Sequence, residues 1–261
     1  MRGGSPCRER KRPGTRDVRW DRGGTRPFVI GGSATPAVKA LLITNVVVFL
    51  FQILSQNLAQ VRIERIFGLV PYDVVHHLFL WQLATYMFLH GGFWHVAFNM
   101  LALWMFGTEL EGLWGTRKFL RFYFITGIGA GIMSTLVTPN NYTVTIGASG
   151  AIYGLLAAYG LLFPDRIILL YFVLPIRAKY LVLILGLITF WSSISATGGG
   201  VAHVAHLGGM IFGWLYLRGP RWPRWGNPVG NAYQRWKRNR LRKKFQVYYS
   251  KTRGEDEEER R

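Results

Sequence analysis

The chain has 261 residues, 50% of them hydrophobic and 17% charged, with a formal net charge of +19. So apolar a composition does not read as an ordinary soluble domain. The single cysteine, Cys7, excludes a disulfide within the chain, so stability outside the cytoplasm cannot rest on one.

The charge is unevenly spread. Nine Lys/Arg precede residue 31 and thirteen follow residue 220, whereas residues 38–218 hold ten, with five acids. Charged ends around an apolar centre predict a polytopic membrane protein. Residues 1–35, rich in Arg, Gly and Pro, read as a basic disordered cytoplasmic arm. The first apolar run begins near residue 40 with no small-residue cleavage site behind it, so a signal peptide is not expected. Residues 40–54, extended at both ends, form the first expected span. A long connection, 56–92, carries Arg62, Glu64, Arg65 and Asp73, and within it 74–89 is apolar enough to pass for a span. Further spans are expected at 93–113, 119–137, 149–163, 180–194 and 201–217. The short apolar run 167–174, between Pro164 and Pro175, reads as interfacial or re-entrant. Residues 219–261 read as a basic cytoplasmic tail with an acidic end.

Charge settles the ambiguous segment. With six spans and the N-terminus inside, Arg117, Lys118, Arg121, Arg166, Arg177, Lys179 and the basic tail all lie on the inner side. The outer loops at 138–148 and 195–200 contain no Lys or Arg. Were 74–89 also a span, those clusters would face outward, against the positive-inside rule. The expected fold is an all-α polytopic membrane protein: a bundle of six transmembrane helices within residues 36–218. A long outer interfacial loop, including Trp81, lies between spans 1 and 2. The expected setting is a bacterial plasma membrane with both termini cytoplasmic.

One span is too short. From Ser149 to Pro164 there are 15 helical residues, about 22 Å at 1.5 Å per residue, against about 30 Å of hydrocarbon. Ser149, in Gly147-Ala148-Ser149-Gly150, therefore stands at a submerged helix N-terminus. Non-helical backbone at that depth survives only where it is buried in protein or lines a wet cavity. His95 and Asn99, spaced i, i+4, share one face at the outer start of the second span, and His203 and His206 lie near the outer start of the sixth. Each has a structural reading too: a serine as cap or packing residue, a histidine or asparagine as interhelical glue. Their convergence at comparable depth says more than any one of them.

The residue types suit acyl transfer. A serine hydroxyl needs a base to take its proton, and a neutral imidazole does so. The charge that develops on the carbonyl oxygen needs donors, which His95, Asn99 and the Ser149 N–H can supply. No intramembrane Asp is placed to orient the base, so a dyad is expected rather than a triad. Gly150 with Gly154, and Gly209 with Gly213, offer small-residue faces for close approach of the fourth and sixth spans. Tyr153, one turn below Ser149, could support the imidazole. Between the two histidines, depth counted from the inner helix ends slightly favours His203, whereas facing favours His206, which shares the glycine side of its helix. His90 reads as bracing its loop.

The strings Trp81-Gln82-Leu83 to His90-Gly91-Gly92, His95 to Asn99, Gly147-Ala148-Ser149-Gly150 and Ala205-His206-Leu207-Gly208-Gly209 resemble the rhomboid intramembrane serine proteases, and residues 109–115 match the loop after that family's second span. The resemblance covers residues 38–218. It implies a six-helix bundle with Ser149 as nucleophile, His206 as base, and His95 and Asn99 as oxyanion donors; Tyr153 and Gly147 are expected as supporting residues. The implied substrate is a transmembrane segment with small or helix-breaking residues near the cut. No cofactor is implied. Two other readings of the core are a zinc site built from His95, His203 and His206, weakened by the lack of HExxH or an intramembrane carboxylate, and a non-catalytic adaptor that binds transmembrane helices. For the tail, 235–244 with Trp236 and Phe245, anionic lipid headgroups are the expected partner and nucleic acid is not.

Overall fold

The computed structural model describes residues 33–170, 174–195 and 201–219. The basic arm up to residue 32, the tail from 220, most of the expected outer loop at 195–200 and the centre of the 167–174 run lie outside the described residues.

The described chain is mostly helical. α1 (Pro36–Ala59) opens with proline at its first position, where a missing N–H costs nothing. Three short helices follow: α2 (Glu64–Phe67), α3 (Pro71–His76) and α4 (Gln82–Thr85), the last continued by a 3₁₀ turn (Tyr86–Phe88). The apolar stretch 74–89 is thus broken into short pieces and forms no continuous helix. α5 (Phe93–Ala102) passes through a π turn (Leu103–Gly107) into α6 (Thr108–Trp114), so 93–114 is one helical stretch. α7 (Thr116–Val137) and α8 (Ser149–Leu162) come next, then α9 (Ala178–Ser195) and α10 (Val201–Arg218).

Between α8 and α9 the structure departs from an all-α fold. β1 (Ile167–Leu170) pairs antiparallel with β2 (Leu174–Arg177). Pro175 disfavours helical backbone in the residue before it, and it is tolerated here because a two-stranded ribbon leaves an edge free. At the hairpin's base Lys179 donates to Asp165 at 2.7 Å, which holds that carboxyl below its usual range.

By length and composition α1, α7 and α9 are each able to cross a bilayer, and α8 is a shorter apolar helix. Their outward faces are greasy: Val47, Leu50, Phe51 and Leu54 on α1, and Leu183, Leu187, Ile188 and Trp191 on α9, are all more than half exposed. Contiguous apolar surface of that kind is suited to lipid rather than water. The protein is an integral membrane protein. Inside, α8 is the most enclosed helix, buried from Gly150 to Ile152 and from Gly154 to Gly160.

Glu111 joins the start of α1 to the α6–α7 corner. Its carboxylate accepts from the Ala37 and Val38 N–H groups (3.0 and 2.9 Å) and from the Thr35 and Thr116 hydroxyls. It thereby satisfies N–H groups that a helix N-terminus leaves without acceptors. Glu109 accepts from the Tyr159 hydroxyl at 2.8 Å and pairs with Arg166, tying α6 to the end of α8. The chain forms two compact units, divided after Trp214. The described part of the second is the last turn of α10 and Gly219, whose N–H bonds to the Leu215 carbonyl.

Candidate active site

The site is built where α8 begins. The preceding loop is held by a pair of backbone hydrogen bonds between Leu69 and Thr145 (2.9 and 2.8 Å) and by the Tyr72 N–H to Asn141 (3.1 Å), with the Tyr72 and Tyr142 rings stacked. The Gly147 N–H donates to the Tyr86 carbonyl at 2.9 Å, while the Tyr86 hydroxyl donates to Gly127 on α7 at 2.7 Å. Tyr86 therefore fixes the serine loop to the bundle.

Gly147 has φ +128, a backbone conformation that L side chains rarely adopt. A methyl there would lie 2.8 Å from His95 Nε2 and 3.6 Å from Ser149 Oγ. The missing side chain leaves room where the edge of His95 and the serine hydroxyl come together.

Ser149 Oγ lies 2.7 Å from His206 Nε2, a hydrogen bond that the hydroxyl donates when the imidazole proton sits on Nδ1. The Tyr153 ring stacks on His206, with centroids 4.3 Å apart and planes 2° from parallel. His203 does not meet the serine in this way; its ring lies 6.1 Å from that of His206, edge to face. The registry follows from glycine. A methyl on Gly209 would lie 1.9 Å from the Gly150 carbonyl oxygen, and one on Gly213 would lie 3.0 Å from that of Gly154. α8 and α10 thus touch backbone to backbone one residue beyond the serine.

On α5, His95 is half-buried and Asn99 buried. Asn99 Nδ2 donates to the His95 carbonyl at 2.7 Å, which commits one amide hydrogen and leaves the other. His95 Nδ1 accepts from the Gly91 N–H at 3.2 Å. The neighbouring His90 lies in the loop before α5, its ring edge to face with that of His95. Burial first, then His95, push its imidazole down to about 4, so it is neutral at neutral pH. The structure thus gathers Gly147, Ser149, Tyr153, His206 and His95, with Asn99 one turn along α5. Sequence reading passed over Tyr86 and Gln52; an amide inside an apolar span was the available signal for the latter.

The Rhomboid domain family model matches residues 77–219, more than half of the chain. Among curated relatives, the chain is 38% identical over 136 residues to Rhomboid protein 1, mitochondrial, of Saccharomyces cerevisiae, covering 49% of this chain and 38% of that one. It is 34% identical over 174 residues to RHOMBOID-like protein 1 of Arabidopsis thaliana, 64% of this chain and 42% of the relative. It is 30% identical over 214 residues to Rhomboid protease AarA of Providencia stuartii, 72% of this chain and 76% of the relative. The chain thus spans about two fifths of the first two. Yeast mitochondrial and plant relatives stand beside bacterial ones, so the relatives do not favour the bacterial source expected from the sequence. With the family model matching over half of the chain and a relative aligned along three quarters of its own length, the protein belongs to the rhomboid family.

Proposed function

We propose that the protein is a serine-type intramembrane endopeptidase that cleaves transmembrane segments of membrane-protein substrates through a Ser149–His206 dyad. The 2.7 Å contact between Ser149 Oγ and His206 Nε2 carries this reading. His206 takes the serine proton as Oγ attacks the scissile carbonyl carbon. The developing oxyanion is met by His95 Nε2–H, the uncommitted Asn99 amide hydrogen and the Ser149 N–H, which has no intrahelical acceptor at the first position of α8. The imidazolium then gives its proton to the departing amine as the C–N bond breaks, leaving an ester on Ser149. Water, deprotonated by the same imidazole, hydrolyses the ester. Tyr153 holds the ring through both proton transfers. The Providencia stuartii relative is named a rhomboid protease, which supports proteolysis as the activity. Purified protein in detergent should cleave a model transmembrane substrate, and Ser149→Ala should not; cleavage that survives this substitution would end the proposal.

Asn99→Ala should slow turnover on the order of a hundredfold, about 3 kcal/mol of transition-state stabilisation, with the protein still folded. Unchanged kcat would assign Asn99 to packing alone.

The proposed topology has six spans in residues 36–218, both termini cytoplasmic and the 56–92 connection outside, with anionic lipid beside the basic tail. The Lys/Arg asymmetry supports it. Single cysteines at Gln56 and Asn140, in a chain with Cys7 replaced, should react with an impermeant reagent in intact cells. Protection at Asn140 together with labelling at Lys118 would invert the arrangement.

A further inference from the structure

The structure ties the proposed oxyanion donor to a side chain on a different span. Gln52 is 3% exposed on α1, a helix whose other faces are largely open. Its amide grips the backbone of His90 at both ends: Oε1 accepts from the His90 N–H at 2.9 Å, and Nε2 donates to the His90 carbonyl at 3.2 Å. The second Nε2 hydrogen goes to Glu64 Oε1 at 2.8 Å. Both hydrogens of the amide are thereby used.

The peptide that follows His90 is planar, with its C=O and N–H pointing in opposite directions. Fixing the His90 carbonyl therefore fixes the direction of the Gly91 N–H. That N–H is the group that donates to His95 Nδ1 at 3.2 Å. A neutral imidazole that accepts at Nδ1 carries its proton on Nε2. His95 Nε2 is the atom that faces the space beside Gly147 and the serine hydroxyl.

We propose that Gln52 is a positioning residue that sets the tautomer of His95 through the His90–Gly91 peptide, so that Nε2–H is presented to the oxyanion. The proposal rests on the proteolytic reading for its effect on rate, but not for its effect on the tautomer. Without the Gln52 amide the peptide plane is free to turn, the Gly91 N–H loses its aim, and His95 divides between its two tautomers. Half-buried His95 then offers a lone pair where a donor is required.

The test uses full-length protein with ¹⁵N-labelled histidine, in which the His95 signals are assigned by difference from His95→Ala. Wild type should show His95 protonated at Nε2 and accepting at Nδ1. Gln52→Leu should move it toward a mixture of tautomers. Kinetically, Gln52→Leu should lower kcat by roughly ten- to a hundredfold with KM little changed, as expected when an oxyanion donor is weakened. In a His95→Ala background the same substitution should cost almost nothing further, because residues acting through one group are not additive. Should Gln52→Leu fail to fold, Gln52→Glu keeps the length and the acceptor while removing the donor to the His90 carbonyl, and the same outcomes are expected. An unchanged His95 tautomer in the variant, or an equal loss of kcat with and without His95, overturns the proposal. If wild type cuts no transmembrane substrate, the proteolytic reading fails by itself, and the tautomer signals still decide the role of Gln52.

Discussion

His206→Ala is expected to abolish cleavage as completely as Ser149→Ala, with the double variant no worse than either. In a serine–histidine pair each member is useless without the other, and loss of either costs on the order of a millionfold in kcat. The contact between Ser149 Oγ and His206 Nε2, at 2.7 Å, is the geometry that such a unit requires. His203→Ala is expected to keep substantial activity, because its ring stands 6.1 Å from that of His206 and touches the site only from the side. Turnover of one transmembrane substrate by the four proteins, each checked for folding, decides the matter. An active His206→Ala beside a dead His203→Ala would exchange their roles.

The second large effect is expected from a single methyl group placed between two helices. In Gly209→Ala the new carbon would stand 1.9 Å from the Gly150 carbonyl oxygen, so α8 and α10 must move apart. That carbonyl belongs to the residue after Ser149, and Gly209 lies three residues beyond His206. Separation therefore falls directly on the Ser149–His206 bond, and a displacement of about 1 Å can cost on the order of a hundredfold in rate. Gly213→Ala meets the Gly154 oxygen at 3.0 Å, a contact that a few tenths of an ångström relieve, and it lies one turn further from the dyad. The expected order is a loss of a hundredfold or more for Gly209→Ala and a much smaller one for Gly213→Ala. The rate at which a serine-directed phosphonate labels Ser149 gives the same ranking without a transmembrane substrate. Equal rates for the two variants would mean that the glycine contact does not govern the dyad.

What the sequence alone determined was whatever a bilayer reads locally. The apolar runs and the Lys/Arg asymmetry mark the chain as a membrane protein, because partition between water and hydrocarbon is a property of each segment by itself. The short helix at Ser149 was legible from a count of residues before Pro164. The facing of His206 was legible because helical periodicity puts it on the glycine side of α10, although depth counted from the helix ends slightly favoured His203. A count of residues from the helix ends does not select the histidine that meets Ser149, because the Gly150–Gly209 contact sets how the two helices register.

Tertiary structure alone decided the rest. The pairing of 167–170 with 174–177 stood in the sequence only as an apolar run, 167–174, between prolines, since pairing depends on where its two ends are anchored. Glu111 gathers donors from Thr35, Ala37 and Val38 some 75 residues earlier, and Gln52 grips a peptide 38 residues away. No local pattern announces such bonds. A side-chain amide or carboxylate on a helix can serve many partners, and the packing of the helices selects one of them. For the same reason, the separation between Ser149 and His206, 57 residues apart in the chain, is a property of the assembled bundle and of neither helix alone.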